Sequence, residues 1–339
     1  MTAMRAWMLD HQATVDERPL SLRTVPVPQP GADEVRLKIV VCGVCRTDIH
    51  IIEGDLPLRK SPLIPGHEIV GVVDQVGEDV EEFRVGDRAG VYWLHRSCGR
   101  CKYCKSGQEN YCPEIRCTGW DVDGGYAEYV TAPAAHALPL DDVQMDPVEI
   151  APLLCPGIAG YAAFNLTGAQ RGDKLGLYGY GPTAYYVLRV AQARGIEVYV
   201  STRSQSNIDR ARGEGALWAA NAAEEEMPCR LDAAILFPPA GNLVEPILGQ
   251  LRRGGTLVMA PVSASPIQID NYSQNLWGRD IRTLYHLNRP DAEAFLEIVD
   301  QLDLRVGTSV FPFDQLQDAL ILARHGELQE PNAVIRISH

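Results

Sequence analysis

The rhythm of apolar and polar positions changes once along the chain, near Ala151. Before it, apolar residues fall in short alternating runs. Val35-Arg-Leu-Lys-Ile has the every-second-residue period of a half-buried strand. Ile69-Val-Gly-Val-Val-Asp-Gln-Val, Asp87-Arg-Ala-Gly-Val-Tyr and Gly125-Tyr-Ala-Glu-Tyr-Val predict further strands. Turn signals such as Pro28-Gln-Pro-Gly and Val85-Gly-Asp separate them. After Ala151, strand-like runs at 173–178, 197–200, 232–237 and 256–260 alternate with helix-length stretches at 182–194, 207–213 and 243–251. That alternation demands parallel strands joined by helical crossovers, a doubly wound α/β sheet. Asp291 to Leu302 reads as one more helix, and the remainder mixes helix and strand. The expected class is α/β, with a β-rich part beside a doubly wound one.

Composition narrows what such a chain does. A length of 339 residues exceeds one ordinary core and predicts two domains. A hydrophobic content of 46% with 22% charged residues is that of a soluble globular protein. The formal net charge of −13, without a compensating basic cluster, argues against nucleic-acid and anionic-membrane partners. No apolar run approaches the ~18 residues of a membrane span, and Met1-Thr-Ala-Met-Arg-Ala-Trp-Met-Leu-Asp lacks the apolar core of a signal peptide. A cytoplasmic location is therefore expected. In a reducing compartment nine cysteines read as metal ligands or buried thiols before disulfides.

Three constellations carry chemistry. Cys98-x-x-Cys101-x-x-Cys104, followed by Cys112, is the most specific. Four thiolates at this spacing close a tetrahedral shell around a structural zinc, although an iron–sulfur cluster can use similar spacing. The second is the stretch from Cys45 to Glu68, which holds Cys45-Arg-Thr-Asp-Ile-His and Pro65-Gly-His-Glu. Catalytic zinc takes three protein ligands and keeps one position open. Cys45 and His67 offer two of the three. Cys155, between the two apparent domains, is the best candidate for the third; otherwise it is buried filler, as Cys42, Cys117 and Cys229 are read. The third constellation is Gly179-x-Gly181-x-x-Ala184, between a strand and a helix as a dinucleotide fingerprint requires.

In order and spacing, Gly43-Val-Cys-Arg-Thr-Asp-Ile-His, Gly66-His-Glu, the four-cysteine lobe, Asp123-Gly-Gly-Tyr-Ala-Glu-Tyr and the glycine turn match one family. The chain resembles the zinc-dependent alcohol dehydrogenases of the medium-chain dehydrogenase/reductase superfamily over essentially its full length. The resemblance implies a GroES-like catalytic domain from residues 1–155 and 289–339, with the structural zinc lobe at about 95–113. A Rossmann domain of 156–288 would be inserted between its halves. It further implies Cys45, His67 and Cys155 as catalytic ligands and Glu68 as a carboxylate close to the metal. Asp48 would orient the ligand imidazole. Thr47 and His50 would form a proton relay, and Trp93 would line the substrate pocket. Zinc would act as a Lewis acid while hydride passes between an alcohol and a nicotinamide. A homodimer or homotetramer is the implied assembly. Two other readings remain: a reductase for bulkier carbonyls of the cinnamyl-alcohol type, and a non-catalytic nucleotide-binding sensor.

Three positions depart from the family pattern. Thr202 stands where an acidic residue would accept from the ribose 2′-OH of NAD. Arg203, aided by Thr202 and Ser204, suits a 2′-phosphate instead, which favours NADP(H) over NAD(H); otherwise Arg203 is a solvated surface charge. Pro182 has no N–H to give a pyrophosphate, so Thr183 would have to compensate through its hydroxyl. Ala159 replaces a threonine that often contacts nicotinamide, and bulky Tyr180 occupies the glycine turn. These departures predict weaker cofactor binding more than a different fold.

Overall fold

A single strand, Glu34–Gly43, organises the first part of the protein. Its Val35, Leu37, Ile39 and Val41 alternate inward and are fully buried, so one face of the strand is core. The computed structural model describes residues 2–302 and 304–338. They divide into two compact units, one joining the chain up to Ile158 with everything from His286 onward, the other spanning Ala159–Tyr285.

In the first unit, Glu34–Gly43 pairs antiparallel with Ile69–Val76, Tyr129–Pro133 and the C-terminal Asn332–Arg336. Together with Arg88–Val91, Leu138–Pro139 and Thr308–Pro312 they make a seven-stranded sheet. The pairing with Asn332–Arg336 brings the two ends of the chain into one core. A two-stranded sheet, Ala3–Leu9 with Leu20–Pro26, and a short ribbon, Leu94–Arg96 with Arg116–Cys117, complete the β structure.

The expected strand at Gly125–Val130 begins only at Tyr129. Residues 124–126 give their amides instead to Ile64, Gly66 and Pro65. Two consecutive glycines permit that approach, and it takes the segment out of the sheet. The expected helix at Asp291–Leu302 runs as Arg289–Leu296, capped by Asn288, whose side chain accepts from the Asp291 amide at 2.8 Å. Its later residues form turns rather than helix.

The second unit is a six-stranded parallel sheet. In space its strands run 218–220, 197–201, 174–178, 231–236, 251–259 and 280–283. Numbered along the chain this is 3-2-1-4-5-6, the doubly wound order in which ligands bind where the order reverses. Helices Pro182–Ala193, Gln205–Gly213 and Val244–Gln250 supply crossovers. Leu175, Leu177, Val200, Ile235, Leu236, Leu257 and Val258 are fully buried, as strands covered on both faces require. Strands Trp218–Ala220 and Asp280–Thr283 were not expected; both are short, and the second is mostly exposed. Among the described residues no single helix is long and apolar enough to cross a membrane.

One buried histidine ties the fold to pH. His95, in the short ribbon, is only 8% exposed, and its Nδ1 has no hydrogen-bond partner among the described residues. Burial pushes its pKa down to about 4. In the unfolded chain a histidine titrates near 6.5, so between about 6.5 and 4 the unfolded state binds a proton that the folded state refuses. Stability is therefore lost as pH falls through this window. In His95→Gln the unfolding midpoint, followed in urea at stepped pH, should fall less steeply over that range than in the parent; equal slopes would contradict the assignment.

Candidate metal centre and cofactor turn

The catalytic candidates gather at the start of one helix. Cys45 is the N-cap of Arg46–Glu53 in extended geometry, and its sulfur accepts from the Thr47 amide at 3.4 Å. Asp48 returns the favour: its Oδ2 accepts from the Cys45 amide at 2.9 Å, closing a capping box. A thiol at a helix N-terminus sees the positive end of the macrodipole, which favours thiolate. His67 comes from the turn before strand Ile69–Val76. Its Nδ1–H donates to Asp48 Oδ1 at 2.9 Å, both groups being fully buried. That bond leaves Nε2 facing Cys155, 3.3 Å from its sulfur. Cys155 sits at the junction of the short helical turn Ala151–Leu154 and helix Pro156–Thr167, and its sulfur is 3.5 Å from that of Cys45.

Glu68 completes the cluster, and the ligand atoms of Cys45, His67, Glu68 and Cys155 all lie within 4.8 Å of one another. Gly43 makes room for the carboxylate, since a Cβ there would stand 1.9 Å from Glu68 Oε2. The separations match zinc: Zn–S near 2.3 Å and Zn–N near 2.05 Å in a tetrahedron put sulfur about 3.8 Å from sulfur and about 3.6 Å from nitrogen.

Electrostatics at this cluster describe a site short of positive charge. Donation from the Cys155 thiol, then the charge on His67, holds Cys45 well below the ordinary thiol value despite burial. Cys155 is driven up by Cys45 and by burial, and Glu68 is driven up by burial and then by Cys45. Burial opposes charge on His67, yet Asp48 and Cys45 together raise it well above 6.5.

The relay candidates occupy the same helix. Thr47 is half-buried, and His50 Nδ1 lies 2.6 Å from Asp55 Oδ2. Trp93 stands edge-on to the His67 ring, with centroids 5.0 Å apart. Its indole stacks on Trp120 and donates Nε1–H to His286 Nδ1 at 2.8 Å. Arg59 lies over the Trp120 ring, 3.5 Å from its centroid, and pairs with Asp121. Trp120 and His286 escaped the sequence reading. His286 is nearly two hundred positions from Trp93 and stands at φ 52°, where few side chains other than Asn, Asp and His settle.

The four-cysteine lobe forms a second cluster, separate from the first. Cys101 caps the turn Lys102–Lys105, accepting from the Cys104 amide at 3.5 Å, and the Cys98 amide donates to Cys112 at 3.3 Å. The Cys101 and Cys104 sulfurs are 3.5 Å apart, those of Cys98 and Cys104 3.9 Å. Backbone amides of Arg100 and Cys101 pull Cys98 down to about 7, while burial pushes Cys112 up to about 12. Among the described residues these are the two groups able to hold a metal. The lobe is anchored through Glu109, which accepts from Arg289 at 3.2 Å.

The glycine turn lies at the reversal of strand order in the second unit. Gly179 has φ 89°, and a Cβ there would meet Pro238 at 2.9 Å; a Cβ on Gly181 would point into open space. Pro182 opens the helix at its first position, and Ala184 is buried beneath. Tyr180 does not block the turn. It is turned away and buried, donating to Glu214 with the Arg210 guanidinium over its ring. Thr202 closes the second strand with its amide on Ala220 O and is 9% exposed. Arg203 is exposed, and Ser204 caps the helix Gln205–Gly213, its hydroxyl 2.7 Å from that of Ser206.

Comparison with known proteins gives this arrangement its family. Residues 31–142 match the alcohol dehydrogenase GroES-like domain. The chain is 45% identical over 323 residues to a Mycobacterium tuberculosis protein named probable alcohol dehydrogenase AdhA, covering 94% of this chain and 93% of that one. It is 34% identical to an alcohol dehydrogenase of Geobacillus stearothermophilus over 93% of this chain and 96% of the relative. In structure it is similar to a cinnamyl alcohol dehydrogenase of Sorghum bicolor (TM-score 0.87, 26% identity, 99% and 98% covered). A thermostable alcohol dehydrogenase of Pyrobaculum aerophilum, described as cobalt and zinc bound, shares the fold at TM-score 0.88 with 24% identity over 99% of this chain and all of that one. The chain therefore belongs to the alcohol dehydrogenases of the medium-chain dehydrogenase/reductase superfamily, oxidoreductases that interconvert alcohols with aldehydes or ketones.

The Trp93–His286 bond makes a kinetic prediction. His286→Val removes the indole's acceptor and places a β-branched residue at positive φ, so KM for alcohol should rise roughly tenfold. His286→Asn keeps an acceptor and tolerates the backbone, and should stay within about threefold of the parent. Steady-state kinetics of both variants decide, and equal effects would contradict the role.

Proposed function

We propose that this enzyme is a zinc-dependent alcohol dehydrogenase preferring NADP(H), which interconverts small alcohols with aldehydes or ketones. Cys45, His67 and Cys155 hold the catalytic zinc with Glu68 behind them. Cys98, Cys101, Cys104 and Cys112 hold a structural one. The convergence of two thiols, one imidazole and a buried carboxylate within 4.8 Å carries this reading. Three ligands of that kind leave the fourth position of a tetrahedral ion for substrate.

Zinc, when bound, supplies the Lewis acidity that lets an alcohol lose its proton near neutral pH. The chain's own residues do the rest. Asp48 fixes the tautomer of His67 with Nδ1 protonated, so Nε2 is the ligand atom. The Thr47 hydroxyl, two residues past the ligand Cys45, receives the substrate proton. His50 passes it outward, and Asp55 keeps its Nδ1 side occupied so that Nε2 is the exchanging atom. Trp93 and Trp120 wall the site and exclude water.

A bound nicotinamide cofactor supplies the hydride acceptor. Gly179, Gly181 and Ala184 let its pyrophosphate approach the helix start, with amides from Thr183 onward because Pro182 has none. Thr202, Arg203 and Ser204 receive the 2′-phosphate. No carboxylate stands at position 202 to repel it.

The nine free thiols suit a reducing compartment, and the cytoplasm is the proposed location. A homodimer or homotetramer is the proposed assembly. Edge strand Asp280–Thr283 is unpaired on its outer side among the described residues, and Tyr272 and Trp277 near it are each 63% exposed.

Two measurements test the reading. Metal analysis should find two zincs per chain, one leaving readily to a chelator and missing from Cys45→Ser. A single zinc indifferent to that substitution would sink the catalytic assignment. The enzyme should turn over a panel of alcohols and aldehydes with both cofactors and should bind NADPH more tightly than NADH. Arg203→Ala should narrow that gap by roughly tenfold, the loss of one charge-assisted contact. A gap that Arg203→Ala leaves unchanged would remove Arg203 from the phosphate site.

A further inference from the structure

Asp123-Gly-Gly-Tyr-Ala is used by neither metal shell and by no part of the cofactor turn, yet it lies directly behind the catalytic cluster. Three successive amides lock it there. Gly124 donates to Ile64 O at 2.7 Å, Gly125 to Gly66 O at 2.9 Å and Tyr126 to Pro65 O at 3.0 Å. Asp123 adds a fourth link, its Oδ1 accepting from the Ile64 amide at 3.0 Å. The segment so gripped leads straight into His67.

Only glycine fits this approach. A Cβ on Gly124 would stand 2.0 Å from Gly66 O, and one on Gly125 would stand 2.4 Å from Ile69 and 2.7 Å from the Cys42 sulfur. Gly66 itself has φ 96°, and a Cβ on it would meet the Tyr126 ring at 2.9 Å.

Tyr126 then reaches the centre itself. It is fully buried, and its hydroxyl donates to Asp48 Oδ2 at 2.9 Å, with Gly43 O a longer second acceptor at 3.3 Å. The shorter bond is the charge-assisted one. Asp48 thereby holds three donors: His67 Nδ1–H on Oδ1, and the Cys45 amide and Tyr126 hydroxyl together on Oδ2. With its second oxygen pinned twice, the fully buried carboxylate cannot turn about its terminal torsion without breaking a bond. The first oxygen stays where His67 needs it.

We propose that Tyr126 is a positioning residue of the catalytic metal centre. Its hydroxyl fixes Asp48, which fixes His67, and Gly124 and Gly125 are the close-packed backbone that lets it do so. This rests on the zinc reading given above. Partners of a ligand imidazole change metal affinity by roughly 10–100-fold when lost, and Tyr126 acts one bond further out, so a smaller effect is expected.

The test uses the zinc-loaded full chain, comparing the parent with Tyr126→Phe, Asp48→Asn and the double variant. Tyr126→Phe keeps the ring against Gly66 and removes only the hydroxyl, so its melting temperature should stay within about 5 °C of the parent. Zinc loss to excess chelator should be several-fold faster in Tyr126→Phe. Its kcat should fall by a similar factor, with KM for alcohol within about twofold. In the Asp48→Asn background, removing the hydroxyl should add nothing, because the group it acts through is already altered. Cobalt substituted at the catalytic site should show a shifted visible spectrum in Tyr126→Phe. Zinc release at the parental rate, or the same acceleration with and without Asp48, would overturn the proposal. A parent with no chelator-labile zinc would instead strike at the zinc reading, so the two failures are distinguishable.

Discussion

The geometry of the candidate metal centre depends on one buried carboxylate. Asp48 is fully enclosed and accepts from an imidazole and a backbone amide of the candidate cluster and from the Tyr126 hydroxyl. A charge in such a place is tolerated only when its acceptor sites are filled, and each donor filling them is thereby fixed. Fixing the Cys45 amide sets the helix start that carries Thr47 and His50. Fixing His67 aims Nε2 at the two cysteine sulfurs. The positions of the proposed ligands and the proposed relay are therefore two results of one hydrogen-bond set.

That set also explains the site's electrostatics. Asp48, Glu68 and two cysteines share a largely buried volume with a single basic group, His67. Burial and Cys45 accordingly raise the Glu68 carboxyl, Cys45 and burial raise the Cys155 thiol, and Asp48 and Cys45 raise His67 against its burial. A divalent ion among these side chains would relieve the crowding and would release protons as it bound. The four-cysteine lobe is different: it is more exposed, with backbone amides supporting the sulfurs, as suits a closed shell with no position for substrate.

Much of this was legible in the residues and some was not. Strands such as Ile69–Val76 and the alternating strands and helices of the second unit followed from period alone, because burial on one or both faces imposes that period. Cys45 and His67 stood out by residue type, whereas Cys155 joined them only as a candidate between the two apparent domains and through the family resemblance. Trp120 and His286 carried no signal, since their contact with Trp93 joins segments remote in sequence. Asp280–Thr283 was missed because four mostly exposed residues show no rhythm. Tyr126 was hidden differently: its segment has a strand's alternation, but Gly124 and Gly125 bring the backbone against Gly66, and that close approach replaces sheet pairing. Tyr180 looked obstructive from its bulk alone, and only its bond to Glu214 shows that it turns away.

The central claim is that Cys45, His67 and Cys155 form one metal centre. Anomalous diffraction from crystals of the protein purified without chelator, collected on both sides of the zinc absorption edge, addresses it directly. The account predicts two zinc peaks per chain, one among Cys98, Cys101, Cys104 and Cys112. The other should lie about 2.3 Å from the Cys45 and Cys155 sulfurs and about 2.05 Å from His67 Nε2. A single peak at the four-cysteine lobe, with no metal signal at Cys45 and His67, would contradict it.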